Sequence, residues 1–160
     1  MPPSANQDSG STAIRTSQSA AEDHYLRGAQ LAQSGDYVQA VEQLRRALEI
    51  DPDLHTTRLQ LGLLYLTMSR PDDALAVWTP LHRLHGDALC FFAEGLSALI
   101  RDDFVTCIAR LEAGIKLNTR NLPLNEDMGL VIRRARDLLP SAATDTPQVR
   151  TDFSLYDQTK

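Results

Sequence analysis

The chain has 160 residues, enough for one domain with a real core and too few for a large multidomain enzyme. A formal net charge of -5 gives phosphate backbones no electrostatic reason to bind, and hydrophobic and charged fractions of 42% and 23% are ordinary for a globular protein, so nucleic acid is disfavoured as a partner. No apolar run has the length of a signal-peptide core or a membrane span, and a cytoplasmic protein without membrane insertion is expected.

Residues 1–19 are rich in Ser, Thr, Gln, Pro and Gly, a composition that buries too little apolar surface to offset its ordering entropy, and they are predicted as a disordered N-terminal segment. Residues 20–139 follow, helical in pattern throughout. SGD at 34–36, SRPDD at 69–73 and RDD at 101–103 break this pattern within pairs of short helices; IDPDLH at 50–55 and HGD at 85–87 separate the pairs. Gly35 suits a left-handed position after a helix, Asp36, Ser69 and Asp102 are candidate caps, and Pro71 suits a first turn. Pro80 lies well inside the second helix of the second pair and predicts a kink or an early end there. A last helix, NEDMGLVIRRARDLL, is expected to open on Asn125 as cap, with Arg133, Arg134 and Arg136 as a solvated basic patch. Residues 140–160 are predicted as a flexible C-terminal tail in which Phe153, Leu155 and Tyr156 are either a docking motif or incidental.

An internal period decides the architecture. Gly28, Gly62 and Gly95 recur at spacings of 34 and 33, and so do Ala40, Ala74 and Cys107, and Tyr37, Pro71 and Phe104. With these registers, and with Gly35, Ala47 and Pro52 in the first unit and Leu61, Tyr65 and Trp78 in the second, the chain resembles the tetratricopeptide repeat (TPR) family. The second unit departs at Leu81 and Gly86. The third keeps Phe104, Leu111 and Gly114 but has Cys107 for an alanine and no closing proline. The resemblance implies an all-α, TPR-like α-solenoid of three helix pairs (about 21–54, 55–87 and 88–120) plus a C-terminal capping helix at about 123–139. Small residues at the repeated positions let helices approach closely, and a larger side chain there forces them apart.

Candidate chemistry is sparse. Cys90 and Cys107 belong to no paired motif and are expected to be buried, reduced thiols. His82 and His85 lie three apart with no nearby ligand to complete a metal site. Asp72–Asp73 and Asp102–Asp103 fall at helix starts, where acids complement the helix dipole. There is no phosphate-binding glycine loop and no nucleophile with a recognisable histidine and acid. The expectation is a non-enzymatic protein with no cofactor and no metal.

A surface for binding protein remains. The resemblance implies that first helices line a concave groove, which places Tyr25, Ala29, Ala32 and Gln33, then Leu59, Leu63, Leu66 and Thr67, then Phe92, Leu96, Leu99 and Ile100 near it. The lysine, arginine and asparagine set of the carboxylate-clamp members is missing from these faces. Their apolar character is similar in architecture to the small three-repeat chaperones of bacterial type III secretion systems. The expected function is therefore a protein-protein interaction module, a chaperone or assembly adaptor holding a hydrophobic peptide or helix of a partner against Tyr25, Leu59, Leu63, Leu66, Phe92, Leu96 and Leu99. The alternative is a structural homo-oligomer, a homodimer for instance, whose apolar groove is covered by self-association or by its own tail.

Overall fold

The structure, a computed structural model, describes residues 8–139. Seven α-helices and no strand occur among them: α1 (Asp8–Gln33), α2 (Tyr37–Ile50), α3 (His55–Thr67), α4 (Pro71–Trp78), α5 (Ala88–Ile100), α6 (Phe104–Leu117) and α7 (Leu122–Leu138), with a 3-10 turn at Thr79–Arg83. Consecutive helices pair as α1–α2, α3–α4 and α5–α6, α2 leads into α3, and α7 closes the array against α6. This is the all-α, TPR-like solenoid that the repeat predicts.

The three hairpins turn by one mechanism. Gly35, Ser69 and Asp102 each take a left-handed conformation with φ of 84, 58 and 57°. The amides of Gly35, Ser69 and Asp102 donate to the carbonyls of Ala32, Leu66 and Leu99, and those of Asp36, Arg70 and Asp103 donate five residues back to Leu31, Tyr65 and Ala98. This double closure satisfies the end of the first helix of each pair. Ser69 and Asp102, expected as caps, are therefore turn residues, and the residue after each one precedes the next helix. Asp36 and Asp103 cap α2 and α6 through their side chains, whereas Arg70 makes no side-chain cap. Hydrogen bonds from Thr106, its side chain first and then its amide, hold the Asp103 carboxyl below the usual carboxylate range.

Two boundaries differ from expectation. Helix α1 already begins at Asp8, so residues 8–19 are helical and not disordered. Once packing between Ala21 and Gly28 nucleates the helix, each further residue closes one more backbone hydrogen bond, and no proline interrupts residues 8–19, even though residues 14–19 are exposed. Helix α7 starts at Leu122 with Asn121, not Asn125, as its cap. Asn125 instead reaches back, its Nδ2 donating to the Asn118 carbonyl at 2.9 Å while its Oδ1 accepts from Asn118 Nδ2 at 2.8 Å, which ties α7 to the end of α6. Residues 1–7 and the tail at 140–160, including Phe153, Leu155 and Tyr156, lie outside the described residues.

Pro80 acts as expected. Helix α4 ends at Trp78 and the chain tightens into the 3-10 turn, with Leu81 fully buried. The turn, more than α4, carries the second hairpin onto α5. Helix α5 is consequently enclosed on several sides, with Cys90, Phe92, Ala93, Gly95, Leu96, Ser97 and Ala98 all buried.

Packing within each hairpin rests on a glycine beneath a large side chain. Gly28 faces Leu44, Gly62 faces Trp78 and Gly95 faces Leu111. The Trp78 indole is fully buried and fixed by a hydrogen bond from its Nε1 to the Leu59 carbonyl at 3.1 Å. A methyl group on Gly62 would overlap that ring, which cannot swing away. Gly62→Ala is expected to destabilise the fold by about 3 kcal/mol, at the upper end of overpacking effects. Gly28→Ala should cost less, because its methyl group would meet Leu44 at 2.7 and 2.9 Å, a milder overlap than that with the Trp78 indole; chemical denaturation of the two variants checks the order. By contrast, Ser69→Gly relieves a left-handed serine and is expected to stabilise by about 0.5–1 kcal/mol after the extra entropy of the unfolded chain is subtracted, visible as a raised thermal midpoint.

Candidate functional site

The seven residues expected to line one groove do not share one surface. Leu59, Phe92 and Leu96 are core residues, at 0, 0 and 1% exposure. The physical reason lies in the repeat itself. Tyr25, Leu59 and Phe92 occupy one register, and Ala47, Leu81 and Gly114 occupy another in the second helices. Phe92 fills the space left by Gly114, whose added methyl would fall 2.5 Å from the ring, and Leu59 is buried in the same core cluster as Leu81. This register faces the hairpin partner. Leu96 is buried because α5 is enclosed and α3 approaches it closely.

The other four keep some surface. Leu63, Leu66, Leu99 and Tyr25 are half-buried against the core. Tyr25 opens onto a different recess, shared with Glu22, Asp51 and Leu54. Leu63 alone of the seven lines a cleft between α1 and α3, of about 260 Å³, with Ala29, Ala32, Gln33 and Thr67 around it. All four of those neighbours stand among the first-helix positions expected near the groove. Leu44, Gln60 and Leu64 complete the lining. Leu44 was not legible as a groove residue because it comes from a second helix; it shows there because Gly28 has no side chain to cover it.

Nothing in this cleft is ionisable. Its polar groups are the Gln33 and Gln60 amides and the Thr67 hydroxyl, which donates back to the Leu63 carbonyl at 3.1 Å. A walled space of Ala and Leu with a few amide and hydroxyl groups can accept an apolar side chain and hydrogen-bond the backbone beside it.

The remaining candidates have structural roles. Cys90 and Cys107 are free and buried. Burial, with a smaller contribution from Asp103, pushes the Cys107 thiol up to about 11, and burial followed by Glu94 raises that of Cys90. Asp73 pairs with Arg70 and Arg136 with Glu112. Among the described residues no group of three His, Cys, Asp or Glu side chains could hold a metal ion, and no helix is long and apolar enough to cross a membrane.

The fold and this cleft define a class, a solenoid of helical hairpins with an apolar recess between first helices. The sequence comparison agrees with this class: residues 28–69 match the model of the TPR repeat. Among solved structures, the crystal structure of MamA protein is similar, with a TM-score of 0.52 and 23% identity over 74% of this chain and 63% of that chain. That likeness concerns the fold, and the chain spans less than two thirds of MamA. No curated protein matches the sequence. TPR repeats are protein-protein interaction modules and are generally non-catalytic.

The raised thiols yield a direct prediction. In native protein at neutral pH, Cys90 and Cys107 should resist a thiol reagent such as dithionitrobenzoate, and both should react once denaturant unfolds the chain. Rapid labelling of the folded protein would show that the α5–α6 pair opens locally.

Proposed function

We propose that the protein is a chaperone or assembly adaptor that holds an apolar segment of a partner protein at the α1/α3 cleft. The observation that carries this reading is the lining itself: Ala29, Ala32, Leu63 and Leu64 around an open recess with no ionisable group. At about 260 Å³ the cleft lies below the range of about 300–1,000 Å³ usual for cofactor and small-molecule pockets. It suits one anchoring side chain, such as leucine, presented by a peptide or helix that continues along the half-buried Leu66 and Leu99. Tyr25 joins only if the segment runs past the neighbouring recess.

The test is a photo-crosslinking amino acid at Gln33, which is exposed and borders the cleft. A crosslinked partner segment is then synthesised and its affinity measured by calorimetry. Leu63→Glu and, independently, the exposed Thr67→Glu should each weaken binding about 10- to 100-fold, the equivalent of losing one buried apolar side chain at about 1.5–3 kcal/mol. Circular dichroism confirms that both variants fold. Unchanged affinity in both variants overturns the proposal. A crosslink to a second copy, with a dimer in sedimentation that added peptide leaves intact, establishes the homo-oligomer instead.

A further inference from the structure

Helix α3 has a second recess on its other side, of about 510 Å³, walled by α2, α3 and α4. At about 100° per residue, the α3 residues lining the first cleft (Gln60, Leu63, Leu64, Thr67) and those lining this one (Arg58, Leu61, Tyr65) lie on roughly opposite sides of the helix. Three arginines, Arg45, Arg58 and Arg70, line it against two carboxylates, Glu49 and Asp73, although the chain as a whole has a net charge of -5.

Arg70 is already matched. Its Nε donates to Asp73 at 2.7 Å, and its guanidinium lies 4.8 Å above the Tyr65 ring. The other two are not. Among the described residues no carboxylate pairs with Arg45 or Arg58. One Nη of Arg58 donates to the Pro52 carbonyl at 2.8 Å, which anchors the side chain, while its Nε is shut off from solvent with no acceptor. The sealed Nε cannot meet a ligand itself, but its uncompensated charge raises the value of an anion at the guanidinium's outer Nη donors.

We propose that this recess binds one carboxylate side chain of an acidic segment of a partner protein, flanked by an apolar residue. Arg45 and Arg58, from α2 and α3, supply the forked donors that fit a carboxylate in two-pronged fashion. Glu49 on the same wall leaves one net positive charge after the neutral Arg70–Asp73 pair is set aside, enough to neutralise one carboxylate, whereas a phosphate dianion would remain half-neutralised beside Glu49 and would gain nothing from the apolar wall. Leu48, Leu61 and Val77 supply apolar surface for the flanking residue. The site does not depend on the α1/α3 cleft, and the failure of either leaves the other standing.

The test uses the full chain labelled with nitrogen-15, read at the Nε–Hε resonances of Arg45 and Arg58. The probe is a blocked heptapeptide of alternating glutamate and leucine, with a glutamine–leucine peptide and inorganic phosphate as controls. The acidic peptide should shift the Arg58 resonance, the glutamine peptide should not, and phosphate should bind more weakly than the acidic peptide. Arg45→Gln, at an exposed position, should weaken the acidic peptide at least tenfold without disturbing the fold, read at Arg58, and Arg58→Gln should abolish the shift of the Arg45 resonance. The proposal is overturned if the two peptides bind alike, if phosphate binds more tightly, or if Arg45→Gln has no effect. It is equally overturned if the resonances respond only to protein concentration, which marks a second copy, or to none of these ligands.

Discussion

Every hairpin of this protein depends on one contact, a first-helix position without a side chain beneath a large second-helix residue. Gly28 receives Leu44, Gly62 receives Trp78 and Gly95 receives Leu111, at the same place in each repeat. Close approach of the backbones follows, because nothing but hydrogen occupies the gap. The reciprocal position runs the other way: Tyr25, Leu59 and Phe92 on the first helices oppose the register of Ala47, Leu81 and Gly114 on the second. Volume is traded within this second set, with the phenyl ring of Phe92 facing a glycine. The two sets interlock each pair from both sides and determine which first-helix residues are left to face outward.

What the middle hairpin does with this scheme shapes the outer surface of the first helices. Its small position is filled by Leu81, which sits in the 3-10 turn that Pro80 imposes after α4. That turn packs onto α5, which α3 also contacts. Leu96 is therefore covered, while Leu63, one repeat earlier in the same register, borders an open cleft. A regular array would leave equivalent recesses along its length. Here the irregularity closes one and leaves the other.

The glycine and alanine spacing made the hairpins, their order and the register of the turns legible, because close approach leaves a mark in residue size that repeats along the chain. Cap positions were less legible: Ser69 and Asp102 are good cap residues by chemistry, and only the left-handed geometry at the Gly35-equivalent position shows that they turn the chain. The start of α1 is not legible, because the exposed residues 14–19 carry no apolar periodicity to read. The lining of the α1/α3 cleft was legible in part. Ala29, Ala32, Gln33, Leu63 and Thr67 stand together as expected, since they follow from first-helix register alone. Leu59 and Phe92 could not be separated from them by hydropathy, because a leucine facing a hairpin partner and a leucine facing a ligand have the same composition.

The segment from Leu59 to Leu66 shows how one helix meets all these demands. Leu59, Leu61, Gly62 and Tyr65 are buried against α4 and its neighbours, with the Leu59 carbonyl spent on Trp78. Leu63 and Leu64 emerge between α1 and α3, while Arg58, one residue before the segment, emerges with Leu61 and Tyr65 on the far side. A helix apolar around most of its circumference must be packed on more than one side. Because α3 is central in the array, its two flanks remain chemically distinct, one apolar and without charge, the other basic. A partner segment on one flank would leave the other accessible, and the rigid packing of Trp78 on Gly62 holds the two at fixed separation.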